Sequence, residues 1–373
     1  MNEFSMQTVD ILIYIALSEE FNYLVDDLLG DSDQSFISQE MEDYPLTIFY
    51  GNIFCKNQEK YFHTVIIPAG KMGNTRAATV TSAILAKSSV CDVIVLGIAG
   101  SLSNDLQPGD VLIPDSVEEY LANSAAIGED NNWEFKTSGN NLPTSLRLLN
   151  RFQHFFSRYR PIYDQWLKDS NDRLNHILEN KKIQEILDKH GEELRSDVKL
   201  FAGDDKKLAS GPAVGKGKAF TDWLKNQVDR KFFAIDMESS GVYDAVNLRI
   251  PSPRVIAFRG ISDFADERKQ LIEDTVREQF REVSLKNAFH LLLHGIESGL
   301  FNPDIVESSG SNNVESEDGQ KSLQEKPEHI DKKVKEVKKF EHHKEVYRFA
   351  YSSKGMNKGN YAAEQLAFKK ILG

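Results

Sequence analysis

Seven short runs of apolar residues punctuate the chain: VDILIYIAL (9–17), LTIFYGNIF (46–54), FHTVIIP (62–68), CDVIVLGIAG (91–100), GDVLIP (109–114), FFAID (232–236) and RVIAF (254–258). Several are apolar at consecutive positions. Successive side chains of a strand point to opposite faces, so such a run needs cover on both sides of its sheet. Two stretches between the runs carry the cover. NTRAATVTSAILAKS (74–88) places small and apolar residues at helical spacing, and EDTVREQFREVSLKNAFHLLLHGI (273–296) is a long amphipathic stretch. Strands alternating with helices predict a layered α/β domain of about 300 residues.

Two regions depart from this plan. Residues 142–195 are charged and helix-prone with almost no strand signal, and read as a helical insertion in a domain spanning 1–301. Residues 302–330 lose their aromatics and become rich in Ser, Asn, Gly and Glu, the composition of a disordered linker. A small module, 331–373, follows with eleven Lys and Arg against five Asp and Glu, in a chain whose net charge is −12. That net charge argues against general polyanion binding by the whole chain. Cys55 and Cys91 are too few for a disulfide framework and read as reduced core residues. The opening MNEFSMQTVD lacks the basic stretch of a signal peptide, and no apolar run approaches a membrane span of roughly 18 residues. The expected location is cytoplasmic, with no membrane partner.

The stretch VIAFRGISDFADERK (255–269) delivers a carboxylic acid, Asp263, just beyond an apolar strand. A buried carboxylate is costly without partners or a task, and ligands in open α/β sheets bind beyond the strand ends. A carboxylate capping the next helix is the plainer alternative. Three other segments carry comparable features. ALSEEFNYL (16–24) starts a helix with Glu19 and Glu20, GKMGNTRAA (70–78) is a glycine-bearing turn opening a helix, and LGIAGSL (96–102) is followed by PGDVLIP (108–114). AIDMESSGVYDA (234–245) pairs with RGISDFAD (259–266). In this order the segments resemble the superfamily of nucleoside phosphorylases and methylthioadenosine/adenosylhomocysteine nucleosidases, over roughly residues 9–300 outside the insertion.

The resemblance implies a three-layer α/β/α sandwich with a mixed central sheet, and residue roles that suit purine N-glycosidic cleavage. That reaction passes through an oxocarbenium-like sugar, so it needs an acid for the leaving base and a nucleophile. Asp263 is the implied acid at purine N7, with Ser262 orienting its carboxyl. Met237 lies under the sugar, Glu238 accepts from its hydroxyls, and Ala99 and Gly100 border the substrate. Glu20 positions an attacking water. Alone, Glu20 reads as a first-turn glutamate favoured by the helix dipole, and Met237 as core packing.

Phosphorolytic relatives place an Arg and a Ser around the glycine of the third segment, where this chain has Val95 and Ile98. An apolar Ile98 favours water over phosphate. The base-stacking stretch corresponds to LASGPAVGKGKAF (208–220), with Val214 at the aromatic position and Phe220 or Phe201 as substitutes. Lys71, Arg76, Lys216 and Lys218 are candidates for binding a 5′-phosphate, and surface lysines otherwise. Some superfamily members in bacterial anti-phage systems cleave ATP or related nucleotides to adenine, and the insertion and extra module suit such an effector. The expected activity is hydrolysis of a purine, above all adenine, nucleoside or nucleotide without metal or cofactor. The alternatives are a phosphate-dependent purine nucleoside phosphorylase, a methylthioadenosine/adenosylhomocysteine nucleosidase, and a non-catalytic nucleotide sensor or RNA-docked regulator. A homo-oligomer is implied. YRFAYSSKGMNKGNYAAEQLAFKKIL (347–372) resembles the end of a double-stranded RNA-binding domain, making RNA or a protein the partner of 331–373.

Overall fold

The computed structural model describes residues 8–29, 36–129, 132–190, 193–213, 217–269 and 277–302. The chain divides into two units, Met1–Glu307 and Ser308–Gly373. All described residues belong to the first. Val214, Lys216, the linker expected after residue 302 and the module expected at 331–373 lie outside them.

The strands are β1 (Thr8–Ile15), β2 (Ile37–Glu40), β3 (Thr47–Cys55), β4 (Lys60–Pro68), β5 (Ser89–Ser101), β6 (Val111–Ile113) and β7 (Ser116–Glu119). They continue as β8 (Ala125–Glu129), β9 (Asn132–Lys136), β10 (Asn141–Pro143), β11 (Leu200–Ala202), β12 (Lys207–Ser210), β13 (Phe232–Asp236) and β14 (Arg254–Phe264). Helices are α1 (Ser18–Leu29), α2 (Asn74–Lys87), α3 (Leu146–Gln153), α4 (Phe155–Arg158), α5 (Arg160–Leu178), α6 (Lys181–His190), α7 (Lys218–Trp223), α8 (Ser239–Asn247) and α9 (Arg277–Glu297). Among the described residues, twelve strands form one mixed sheet, and β8 and β9 pair separately.

The consecutive apolar residues of β1 face two cores. Ile11, Ile13 and Ile15 pack with Phe21 and Leu24 of α1 and Phe280 and Leu292 of α9. Leu12 and Tyr14 pack on the other face with Val80 and Ile84 of α2 and Val242 and Val246 of α8. The result is three layers with a mixed central sheet.

Helices α3 to α6 fill the region expected to be helical, although residues 142 and 143 belong to the edge strand β10. Their apolar residues Phe152, Phe155, Trp166, Leu174, Ile183 and Leu187 join the α1–α9 core. Trp166 is fully buried and its indole N–H donates to the Asn287 carbonyl at 2.9 Å.

The centre of the sheet positions the site. β5 runs parallel to β1 from Ser89 to Leu96, and parallel to β14 along its other edge. Beyond the end of β1, the tip of β5 takes a new neighbour, with Gly100 and Ser101 pairing antiparallel to Ile235 and Ala234 of β13. A crevice opens where that neighbour changes, the place where α/β sheets bind ligands. Strand β14 runs six residues past the apolar run that announces it. Gly260 permits this, because a Cβ there would lie 2.0 Å from the Ser284 carbonyl oxygen of α9.

Removing the Trp166 ring leaves a cavity and deletes the indole hydrogen bond that joins α5 to α9. Trp166→Ala is expected to lower stability by about 3–5 kcal/mol, read as a shifted denaturant midpoint of the full chain. A midpoint within error of wild type would show that α5 is not anchored there.

Candidate active site

A cavity of about 260 Å³ sits at that crevice. Ala16 and Leu17 line it from the end of β1, Glu20 from α1, and Ile98, Ala99 and Gly100 from β5. Ile235 and Asp236 enter from β13, Met237 and Glu238 from the turn before α8, and Ser262 and Asp263 from β14. Met72, Ala213, Lys269, Arg277 and Arg281 complete the wall. Seven residues singled out from sequence therefore share one cavity: Glu20, Ala99, Gly100, Met237, Glu238, Ser262 and Asp263.

Asp263 lies inside β14 and not beyond it. The register with β5 slips between Ile261 and Asp263, which oppose Ala99 and Gly100 with Ser262 as the extra residue. Strict alternation sends neighbouring side chains to opposite faces, and a bulge re-aims them. Ser262 and Asp263 consequently both reach the cavity. The Ser262 hydroxyl donates to Asp263 Oδ2 at 2.7 Å. The Lys269 ammonium lies 3.0 Å from Oδ1, yet among the described residues no donor meets that oxygen with hydrogen-bonding geometry.

Beneath the pocket runs Arg259, a residue the sequence reading left without a role. It is 1% exposed. Its register partner on β5 is Gly97, where a Cβ would lie 2.1 Å from the guanidinium, so only glycine lets the side chain cross that strand. Arg259 Nη2 reaches Asp236 Oδ2 at 2.5 Å and donates to Ser239 Oγ at 2.8 Å. The Ser239 hydroxyl and backbone N–H, 2.5 and 3.3 Å from Oδ2, add two more donors to Asp236.

Three buried carboxylates, Asp236, Glu238 and Glu20, thus share one buried guanidinium. Burial, followed by the charge of Asp236, pushes Glu238 up to about 8. Burial likewise holds Glu20 above the usual glutamate range, against the pull of Arg259 and Arg281. Burial disfavours the Arg259 charge, but the three carboxylates outweigh it and raise its pKa further. Glu238 also accepts from the backbone N–H of Gly73, at 3.3 Å, so the glycine-bearing turn before α2 braces a carboxylate. Glu20 accepts from Leu17 N–H at 3.4 Å, so it caps its own helix while facing the cavity.

The remaining expected residues lie elsewhere. Arg76 donates from Nε and Nη2 to the Ala69 carbonyl and secures the turn, while Lys71 is exposed. Lys218 is exposed, and its backbone N–H donates to Glu267. None of the three lines the cavity. Phe220 stacks on Trp223 at 5.9 Å and Phe201 tilts against Phe233, so neither is on the wall. The cations that do line it, Lys269, Arg277 and Arg281, follow Asp263 in sequence and look like solvated helix charges when read alone. Arg259 did leave a signal, a charge set within the apolar run VIAFRGIS. Val95 is fully buried in the α2–α8 core and Ile98 lines the cavity. Among the described residues no cluster of three His, Cys, Asp or Glu suits a metal ion, and no helix is long and apolar enough to cross a membrane.

A family model described as the phosphorylase superfamily matches residues 11–297. The methylthioadenosine/adenosylhomocysteine nucleosidase of Streptococcus pneumoniae, solved with 8-aminoadenine, is 18% identical with a TM-score of 0.50, over 78% of this chain and 100% of that one. The S. pneumoniae enzyme with the transition-state inhibitor MT-ImmA is 19% identical with a TM-score of 0.50, over 78% and 99%. Futalosine hydrolase of Helicobacter pylori strain 26695 is 19% identical with a TM-score of 0.47, over 77% and 97%. At these identities the likeness is one of fold. No curated protein matches the chain.

The raised glutamates give a pH signature. Glu238 binds its proton more tightly in the folded protein, up to about 8, than its ordinary value of 4.5 allows in the unfolded chain. Folding stability therefore falls as pH climbs through that window. Glu238→Gln is expected to melt above wild type near pH 8, with the advantage shrinking toward pH 5. A variant that melts lower at both values would contradict this electrostatic account.

Proposed function

Since the chain belongs to the phosphorylase superfamily, we propose that its pocket hydrolyses the N-glycosidic bond of a purine, above all an adenine, nucleoside or nucleotide. The observation that carries this reading is the convergence of Glu20, Met237, Glu238 and Asp263 on one cavity over a buried arginine. Cleavage moves the C1′–N9 electron pair onto the base, so the base needs a proton and the sugar needs a nucleophile. Asp263 gives its proton to N7 through the oxygen that Ser262 leaves open. Glu238 accepts from a ribose hydroxyl and Met237 packs beneath the ring. Water attacks C1′ and passes its proton to Glu20.

Burial keeps Glu20 toward its neutral form in the empty pocket. Arg259 and Arg281 oppose that burial, and turnover starts from the form in which Glu20 has already given its proton to solvent. The positive charge developing on the sugar then stabilises that carboxylate. Ile98, apolar and on the wall, supports water over phosphate as the nucleophile. The three cations on the wall support a substrate carrying an anionic group, and so extend the reading from nucleosides to nucleotides.

Asp263→Asn keeps the shape but holds no transferable proton, and is expected to slow base release by about 100-fold or more. Wild-type base release should not respond to inorganic phosphate, and the product should be a free sugar or sugar phosphate. An Asp263→Asn enzyme at the wild-type rate would remove the acid from the scheme. Ribose 1-phosphate as the main product would replace the hydrolase by a phosphorylase.

A further inference from the structure

The acid in the proposed scheme must reach the base through Oδ1, yet in the empty pocket that oxygen lies 3.0 Å from the Lys269 ammonium. Both side chains are largely withdrawn from solvent, at 14% and 13% exposure, which weakens screening between them. The ammonium thus stands on the side of the carboxyl that the base must approach, since Ser262 holds the other oxygen. Within the same cavity stand Arg277, exposed at its wall, and Arg281, whose guanidinium is already engaged by Glu19 at 3.0 Å. Of the other charges at the pocket, Glu20, Glu238 and Asp236 line it as buried carboxylates and Arg259 is buried beneath them. Lys269 is the cation that links the acid to the wall where an anion would arrive.

Resting on the functional reading above, we infer that Lys269 exchanges partners. It pairs with Asp263 in the empty pocket and with the phosphate of a 5′-nucleotide in the filled one. In an anti purine nucleotide the 5′-phosphate lies on the same side as the N7–C8 edge of the base, so one lysine can serve both positions. The departing ammonium leaves Oδ1 open toward the base. A nucleotide thereby uncovers the group that acts on it, whereas a nucleoside, with no anion to draw the lysine away, does not. Lys269 is a positioning residue in this scheme and the phosphate is a specificity element.

The test compares adenosine and AMP on wild type, Lys269→Gln and Lys269→Arg. Wild type should turn over AMP with the higher kcat. Lys269→Gln should raise kcat for adenosine severalfold and lower kcat/KM for AMP roughly 10- to 100-fold, mainly through KM, the range of one charge-assisted hydrogen bond. Lys269→Arg should retain the preference. Equal losses on both substrates, or an unchanged preference in Lys269→Gln, would overturn the exchange. Inorganic phosphate added beside adenosine should not reproduce the AMP rate, and if it does, substrate-delivered uncovering is wrong.

A binding arm separates this inference from the hydrolase reading. 7-Deazaadenosine 5′-monophosphate has no N7 to protonate, and can be titrated calorimetrically into wild type and Lys269→Gln. Its affinity is expected to fall roughly 10- to 100-fold in Lys269→Gln, whereas 7-deazaadenosine should bind Lys269→Gln at least as well as wild type. That pattern in a protein that releases no base would defeat the hydrolase reading and leave the exchange standing. Failure of the monophosphate to bind, or equal affinity for wild type and Lys269→Gln, would defeat the exchange, while adenine release from adenosine would preserve the hydrolase reading.

Discussion

The ion pair between Arg259 and Asp236 holds the site together. Both side chains are 1% exposed, and removing either partner from such a pair strands a buried charge at a cost of about 3–5 kcal/mol. A buried pair is weak evidence of stabilisation, since apolar residues of equal volume often do as well. Here its effect is geometric. It ties the end of β13 to the middle of β14 across the glycine at position 97, and Ser239 braces it from the first turn of α8. The strand ends that carry Met237, Glu238 and Asp263 are fixed relative to one another as a consequence.

The electrostatics of the pocket follow from the same residue. One guanidinium among three carboxylates leaves negative charge that burial cannot tolerate, so the glutamates move toward their neutral forms. Such an arrangement is poor for folding and useful for chemistry. In the proposed reaction an oxocarbenium-like sugar would bring positive charge into a site already poised to become more negative, which would be stabilisation aimed at the transition state and not the ground state. Asp263, the acid of the proposed scheme, stands apart from this network, on the bulge of β14, where a hydroxyl and an ammonium face its two oxygens.

Sequence made much of this legible because the constraints were local. The apolar run of β1 announced two covered faces, and Ile13 and Tyr14 do enter different cores. Asp263, Glu238 and Glu20 stood out as carboxylates beside apolar strands. What sequence did not show depends on register and on three-dimensional closure. The bulge at Ser262 is invisible until β14 is laid against β5, so Asp263 seemed to lie past a strand that in fact contains it. Arg259 offered a signal, an isolated charge in an apolar run, but its meaning required Gly97 on the neighbouring strand. Cations were hardest to sort. Lys71, Arg76 and Lys218 lie near motif glycines without lining the pocket, whereas Lys269, Arg277 and Arg281 reach it from around a helix whose charges resemble any solvated surface.

The central claim is that water displaces a purine at this pocket. Its most direct test is to incubate wild-type protein in ¹⁸O-labelled water with adenosine, methylthioadenosine, AMP and ATP, then measure free adenine and the mass of the sugar product. The account predicts adenine from at least one of the four, with a single ¹⁸O incorporated at C1′ of the released sugar. Release of no adenine from any of them, or an unlabelled sugar esterified at C1′, would contradict it.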